Sequence, residues 1–128
     1  MIVISTKELI LEIDQEVFDG PSPYNAVIHV SVDCPSFSVK TDIDSGSLQT
    51  GEFVDQIISV YDSLKGEAVL RGNDGQKMVF SALKTGRIRI SGNLSRCCPP
   101  EDFKLTFSME IDQTDLKKSV DILRKNGL

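Results

Sequence analysis

The most chemically distinctive residues are two adjacent cysteines, Cys97 and Cys98, within SRCCPPEDFK at residues 95–104. Zinc-binding cysteines are usually separated by two residues, so that both thiolates can turn toward one ion, and this chain has neither that spacing nor the further ligands. A disulfide between adjacent cysteines would strain the peptide bond between them. Because Pro99 and Pro100 follow the pair, we interpret the stretch as a stiff turn that ends one strand and leads into the next.

Other catalytic chemistry is equally sparse in the sequence. The single histidine, His29, cannot build a histidine-rich metal site, and the chain has no Gly-x-Ser-x-Gly motif and no glycine-rich phosphate loop. The acidic pair Asp42 and Asp44 falls on alternate positions of a strand, which places both carboxylates on its solvated face. We therefore expect no catalytic residue, cofactor or metal site. A small enzyme with a site assembled from dispersed polar residues stays open as an alternative.

Apolar residues on alternate positions predict strands that bury one face. The first three strands are predicted in LILEID, AVIHVSVDC and FSVKTDI. Their inward side chains are predicted to be Leu9, Leu11, Ile13 and Val17, then Ala26, Ile28, Val30 and Val32, and then Phe37, Val39 and Ile43, with Tyr24 and Cys34 continuing the second set.

Helical spacing replaces alternation in EFVDQIISVYDSLKG, where Gly66 is expected to end the first helix. Four more strands are predicted in EAVLRG, KMVFSALK, RIRISGNL and FKLTFSMEI, with a hairpin turn at Asn73, Asp74 and Gly75. A second helix is predicted to begin after Asp112 and to end at Gly127. The inward stripes of the two helices are predicted to be Phe53, Ile57, Val60 and Leu64, and Leu116, Val120 and Leu123.

These elements predict an α+β fold in a single domain, residues 1–128, in the order βββαββββα. The expected architecture is a single mainly antiparallel sheet of about seven strands, with two helices packed on one face. The opposite face is either solvated or covered by a partner. Its predicted residues are Glu12, Asp14, Glu16, His29, Ser31, Ser38, Lys40, Asp42, Arg87, Arg89, Lys104, Thr106, Ser108 and Glu110.

Charge is distributed unevenly along the chain. Residues 1–64 contain 11 Asp and Glu against two Lys, whereas residues 65–128 contain 8 Asp and Glu against 12 Lys and Arg. The two halves could attract one another across neighbouring strands, or an acidic surface could face outward and steer a basic protein partner. The acidic pI of about 4.8 argues against nucleic acid as that partner. The candidate partner-binding residues are Glu12, Asp14, Asp42, Glu52, Asp55 and Asp62.

The expected location is the cytoplasm, with no membrane as partner. No apolar run approaches the roughly 18 residues that a spanning helix needs. The apolar residues of the amino terminus are not preceded by a basic region, as they would be in a signal peptide. An odd count of three cysteines suits a reducing compartment better than a disulfide framework.

The order of these segments resembles that of the WapI-type immunity proteins. The closing segment FSMEIDQTDLKKSVDILRKNGL carries most of the resemblance, through a Phe-containing strand, a short cap and an amphipathic helix. The chain differs in having no tryptophan, which such proteins often carry. The resemblance implies a non-enzymatic protein that binds and blocks a cognate toxin domain. An acidic secretion chaperone or adaptor that binds another polypeptide is the alternative, although such proteins usually begin with a helix.

Overall fold

The computed structural model describes residues 1–72, 75–98 and 101–128. It has an α+β fold in the order ββββαββββα. The Asn73–Asp74 part of the predicted hairpin turn and the Pro99–Pro100 part of the predicted stiff turn lie outside the described residues. The elements are β1 (Ile2–Ser5), β2 (Ile10–Val17), β3 (Ala26–Cys34), β4 (Phe37–Ser45), α1 (Ser47–Ser63), β5 (Glu67–Arg71), β6 (Lys77–Ala82), β7 (Arg87–Cys98), β8 (Glu101–Asp112) and α2 (Gln113–Asn126).

The strands form two antiparallel sheets, each with its strands in chain order. The first sheet is β1-β2-β3-β4 and the second sheet is β5-β6-β7-β8. The predicted single sheet of about seven strands is therefore wrong, although the two helices and their places in the chain are confirmed. Alternation shows which way a side chain points from its own strand, but it does not determine which strands pair.

The first strand, β1, is absent from the sequence prediction. The backbone N–H of Thr6 donates to the carbonyl of Leu9 at 2.8 Å, and this turn folds β1 back onto β2. Ile2 then lies opposite Ile13, and both side chains are completely buried. The apolar residues before Lys7 therefore form a strand of their own rather than the start of a longer one.

Both sheets bury their inner faces in one apolar cluster that also contains residues of both helices. Helix α1 packs on β5 and β6, α2 packs on β1 and β8, and the helices contact each other. Phe53 of α1 meets Phe80 of β6 edge to face, with 5.8 Å between ring centroids, a favourable arrangement for aromatic pairs. Each sheet consequently keeps one outer face away from this core.

The predicted inward side chains are confirmed in the middle of the strands and wrong at several strand ends. Ala26, Ile28, Val30 and Val32 are 2% exposed or less. The outcome differs for residues at or beyond the strand ends. Val17, Tyr24 and Phe37 are 52%, 59% and 49% exposed, and Cys34 is only partly buried, with its thiol 3.3 Å from the carbonyl oxygen of Phe37.

Helix α1 begins earlier than the sequence predicts, at Ser47. The side-chain oxygen of Asn25 accepts the N–H of Ser47 at 2.9 Å, and the buried hydroxyl of Thr50 donates to the carbonyl of Gly46 at 2.9 Å. These bonds satisfy polar groups at a helix end, so a stretch that looks turn-rich joins the helix. The helix ends at Leu64, which takes a left-handed conformation with φ of 53°, ahead of the predicted Gly66.

The predicted ends of α2 are confirmed. Asp112 lies at the N-cap position, where its N–H donates to the Asp115 carboxylate at 3.1 Å. Ile111 and Leu116 flank this cap and are both buried. Gly127 ends the helix with φ of 67°, a conformation that glycine adopts without steric cost.

Polar side chains join the helices and the sheets at strand edges. Gln56 of α1 accepts the N–H of Val69 in β5 at 2.9 Å. The hydroxyl of Ser119 in α2 accepts the N–H of Val3 and donates to its carbonyl, each at 3.0 Å. Gln76 donates to the carbonyls of Asp42 at 3.1 Å and Ser95 at 2.6 Å, and so links β4 of the first sheet to β7 of the second.

Replacing Gln76 with Leu is expected to lower the free energy of unfolding by about 1–3 kcal/mol, because two carbonyls would lose their shared donor in a buried place. Gln76 is only 4% exposed. Urea denaturation measures the change. The exposed Thr114, changed to Leu, is the control and should stay within about 0.5 kcal/mol of the parent. Equal unfolding midpoints and slopes for the two variants would contradict this role for Gln76.

Candidate partner-binding surfaces

The six candidate partner-binding residues occupy two separate elements of the fold. Glu12 and Asp14 lie on β2 and Asp42 on β4, all directed to the outer face of the first sheet. Glu52, Asp55 and Asp62 lie on the exposed side of α1. The structure therefore brings the first three together and leaves the other three on a different surface.

The outer face of the first sheet, called the acidic face below, carries six carboxylates and one lysine. The register of β2, β3 and β4 places each carboxylate opposite a neutral side chain or His29, so no two acids face each other directly. This arrangement reduces the repulsion that like charges opposite one another would cause. The charged side chains are Glu12, Asp14, Glu16, Asp33, Asp42, Asp44 and Lys40.

His29 lies within the acidic face and bridges its strands. Its Nδ1 is 2.6 Å from Oδ1 of Asp42 on β4, and its Nε2 is 3.0 Å from Oε2 of Glu16 on β2. These hydrogen bonds, first to Glu16 and then to Asp42, raise the pKa of His29 above its usual value of 6.5. The ring therefore holds two carboxylates in place and gains positive charge more readily than a free histidine.

The geometry around His29 is unlike that of a metal site. The two carboxylates bind opposite nitrogens of the ring, so they lie on different sides of it instead of converging on one point. Among the side chains that the structure describes, those of residues 1–72, 75–95 and 104–128, no group of three or more His, Cys, Asp or Glu is placed to hold a metal ion.

The acidic face contains a shallow concavity of about 600 Å³. Carboxylates of β2, β3 and β4 line it, together with the apolar side chains of Met1, directly before β1, and of Ile10 in β2. Met1 and Ile10 there are 43% and 41% exposed. Its charged and titratable lining residues are Glu12, Asp14, His29, Asp33, Lys40 and Asp42.

The acidic residues of α1 have different surroundings. Asp62 forms an ion pair with Arg124 of α2, and the guanidinium of Arg124 lies 6.0 Å from the centre of the Tyr61 ring. Asp55 lines a cleft between the two helices, and Glu52 is exposed. Asp62 is thus partly neutralised within the protein, as Glu16 and Asp42 are by His29, whereas Glu12 and Asp14 have no ion pair among the described side chains.

The outer face of the second sheet carries its own balancing charges. Arg87 contacts Asp112 at 3.1 Å, and Arg89 contacts Glu110 at 3.0 Å, across neighbouring strands β7 and β8. Each half of the chain forms its own sheet, and among the side chains of residues 1–72, 75–95 and 104–128 no ion pair joins a strand of the first sheet to a strand of the second. The interpretation that the two halves of the chain attract each other across neighbouring strands is therefore wrong. The ion pair described between the two halves is Asp62–Arg124, which joins the two helices.

Sequence reasoning assigned Glu12, Asp14, His29 and Asp42 to an outward face, and this is confirmed. It did not identify the contacts of His29 with Glu16 and Asp42, which depend on the strand register. It also took Tyr24 for an inward residue. A signal was present in the turn-forming stretch DGPSPY, which places Tyr24 beyond the regular alternation of β3.

The fold places the chain among small α+β proteins with two antiparallel sheets and two helices. A family model described as the Immunity protein WapI-like family matches residues 2–126 of the 128-residue chain, and the protein belongs to that family. The resemblance seen in the sequence is confirmed. The family assignment indicates toxin neutralisation in general and a protein partner. No curated protein and no solved structure matches the chain.

The described part of the chain has no helix that is long and apolar enough to cross a membrane.

The raised pKa of His29 predicts a defined dependence of stability on pH. Protonated His29 stabilises the fold fully below about pH 6.5, its unfolded value, and this contribution is lost as pH rises through the higher folded pKa. The difference in unfolding free energy between the parent and a His29→Gln variant should therefore shrink between about pH 5.5 and about pH 8. These two pH values lie about one to two units below and above the unfolded pKa of His29.

Because the chain has one histidine, its imidazole signals in NMR spectra report the pKa directly. The measured pKa should exceed that of a denatured control and fall in a Glu16→Gln/Asp42→Asn variant. A folded-state pKa at or below the denatured value would refute the contacts assigned to His29.

Proposed function

We propose that this protein is a non-enzymatic immunity protein that binds a cognate toxin domain through the acidic face and so covers the toxin's active site. The observation that carries the proposal is the excess of carboxylates on one sheet face in a member of an immunity protein family. The proposal includes a basic toxin surface, action as a single domain, and a cytoplasmic location.

Charge complementarity provides the physical basis of this binding mode. A surface with a strong excess of negative charge attracts a basic partner over distances up to about one Debye length, roughly 8 Å at physiological salt, and raises the association rate. Carboxylates that become desolvated against Lys or Arg then slow dissociation. Covering an active site in this way requires shape and charge in the inhibitor and no catalytic group of its own.

The proposal gives different roles to the two sets of candidate residues. Glu12, Asp14 and Asp42 are assigned direct contact because they share one face and line its concavity. Glu52, Asp55 and Asp62 are assigned to long-range attraction, since they lie on α1 and Asp62 is already paired with Arg124. The family assignment favours this function over that of a secretion chaperone or adaptor.

The proposal is tested by comparing two variants, each with two charge reversals. Glu12→Lys/Asp14→Lys changes the acidic face, whereas Glu52→Lys/Asp55→Lys changes α1 by the same net charge. The probe is a candidate cognate toxin, the C-terminal domain of the protein that the adjacent upstream open reading frame encodes. Since both variants alter long-range attraction by the same net charge, a difference in affinity reports direct contact.

We expect Glu12→Lys/Asp14→Lys to weaken binding on the order of 100-fold, or about 2.7 kcal/mol, and the α1 variant to weaken it less than about 10-fold. Calorimetry at low and high salt measures both affinities, and the effect on α1 should fade at high salt. Parent-like affinity of the acidic-face variant at both salt concentrations would eliminate this surface as the interface.

A further inference from the structure

Four large apolar side chains are exposed where the β2–β3 loop meets the start of α1. Val17, Phe18, Tyr24 and Leu48 are 52%, 48%, 59% and 77% exposed. Single exposed apolar residues are common on protein surfaces, but a contiguous group marks an interaction site more often. We call these four residues the loop–helix patch.

Hydrogen bonds show that the segments carrying the loop–helix patch are held together. The N–H of Phe18 donates to the carbonyl of Asn25 at 2.8 Å, next to the cross-strand pair of Val17 and Ala26. The Asn25 side chain accepts the N–H of Ser47 at 2.9 Å and donates to its hydroxyl at 3.2 Å. Each residue of the patch therefore belongs to, or lies next to, the residues that form these hydrogen bonds, either in the sequence or through strand pairing. We call this meeting point of the loop and the helix the junction.

Close backbone packing reinforces the junction. Gly46 approaches the carbonyl oxygen of Pro23 so closely that a Cβ atom at Gly46 would overlap it. The loop is thus held against the helix start on both sides of Tyr24. A loop that is ordered before binding loses less conformational entropy when a partner arrives, so its apolar side chains contribute more to affinity.

The two aromatic residues of the loop–helix patch, Phe18 and Tyr24, are of kinds that are enriched at protein interfaces. Tyrosine is enriched among the few residues that dominate binding energy, and phenylalanine is enriched in interface cores. Phe18 continues the outward positions of β2 directly after Glu16, so its side of the patch adjoins the acidic face. Val17 and Tyr24 continue inward positions, and the patch therefore curves around the end of the β2–β3 pair. An apolar centre bordered by charge is the usual anatomy of a specific protein interface.

The charges around the loop–helix patch specify the kind of occupant. Glu16 and Asp19 flank Val17 and Phe18 in the sequence, and Asp44 lies opposite Val27 at the same end of the sheet. A twofold pairing of two copies through this patch would bring Glu16 and Asp19 of one copy near the same residues of the other, which repel. A partner with an apolar protrusion surrounded by Lys and Arg fits both the patch and its surroundings.

We propose that the loop–helix patch is the apolar anchor of the toxin interface and receives an apolar protrusion of the toxin domain that is bordered by basic residues. This inference rests on the proposed function and assigns the site of its main non-electrostatic contact. The acidic face attracts and orients the toxin, and the patch slows its release, since apolar contacts are insensitive to screening by salt.

The test compares a Tyr24→Ala/Leu48→Ala variant with an Ile122→Ala control. Ile122 is an exposed apolar residue of α2, 46% exposed, away from the patch. The probe is again the C-terminal domain encoded by the adjacent upstream open reading frame. We expect the patch variant to raise Kd about 30-fold or more, mainly through faster dissociation, with an unchanged salt dependence. The control should change Kd less than about threefold.

The outcomes separate this inference from the proposed function. Parent-like affinity of the patch variant, together with lost affinity of Glu12→Lys/Asp14→Lys, would overturn the anchor and leave the proposed function intact. Failure of the parent protein to bind the probe would overturn both. A parent that is a dimer by light scattering, and a patch variant that is a monomer, would identify a second copy as the occupant and also overturn the anchor.

Discussion

Burial of two apolar sheet faces in one common core is the constraint on which the rest of this structure depends. The inner faces of both sheets lie in one apolar cluster with residues of both helices, so the outer faces point away from that cluster. Polar and charged residues on alternate strand positions consequently form two separate outer surfaces. The acidic face exists because β2, β3 and β4 belong to one sheet and carry most of their charges on the side away from the core.

The elements that form this core also provide hydrogen-bond partners for backbone groups at the edges of the sheets. An exposed edge presents unpaired N–H and carbonyl groups that can pair with other chains. At Val3 and Val69 the helices provide partners through Ser119 and Gln56, so elements that fill the core also satisfy backbone groups at the sheet edges. Gln76 does this between the sheets and fixes β4, which carries Asp42, against β7.

The sequence was sufficient to predict side-chain direction in the middle of the strands, but it was insufficient at several strand ends and for strand pairing. Alternation is a local property, so it correctly placed Glu12, Asp14 and Asp42 outward. The division into two sheets depends on contacts between distant segments, and the contacts of His29 depend on the register of three strands. Exposure of Tyr24 depends on the loop that precedes β3. These features arise from tertiary structure, which periodicity along the chain does not encode.

The distribution of ion pairs gives the uneven charge its significance. In the second sheet, Arg87 and Arg89 pair with acids of the neighbouring strand, so that face balances much of its own charge. The acidic face has Lys40 and His29 against six carboxylates, and keeping those charges close together costs stability. Protonation of His29 offsets part of this cost by neutralising charge beside Glu16 and Asp42. A basic partner would offset more, because its Lys and Arg side chains would supply the opposite charge that the fold itself leaves out.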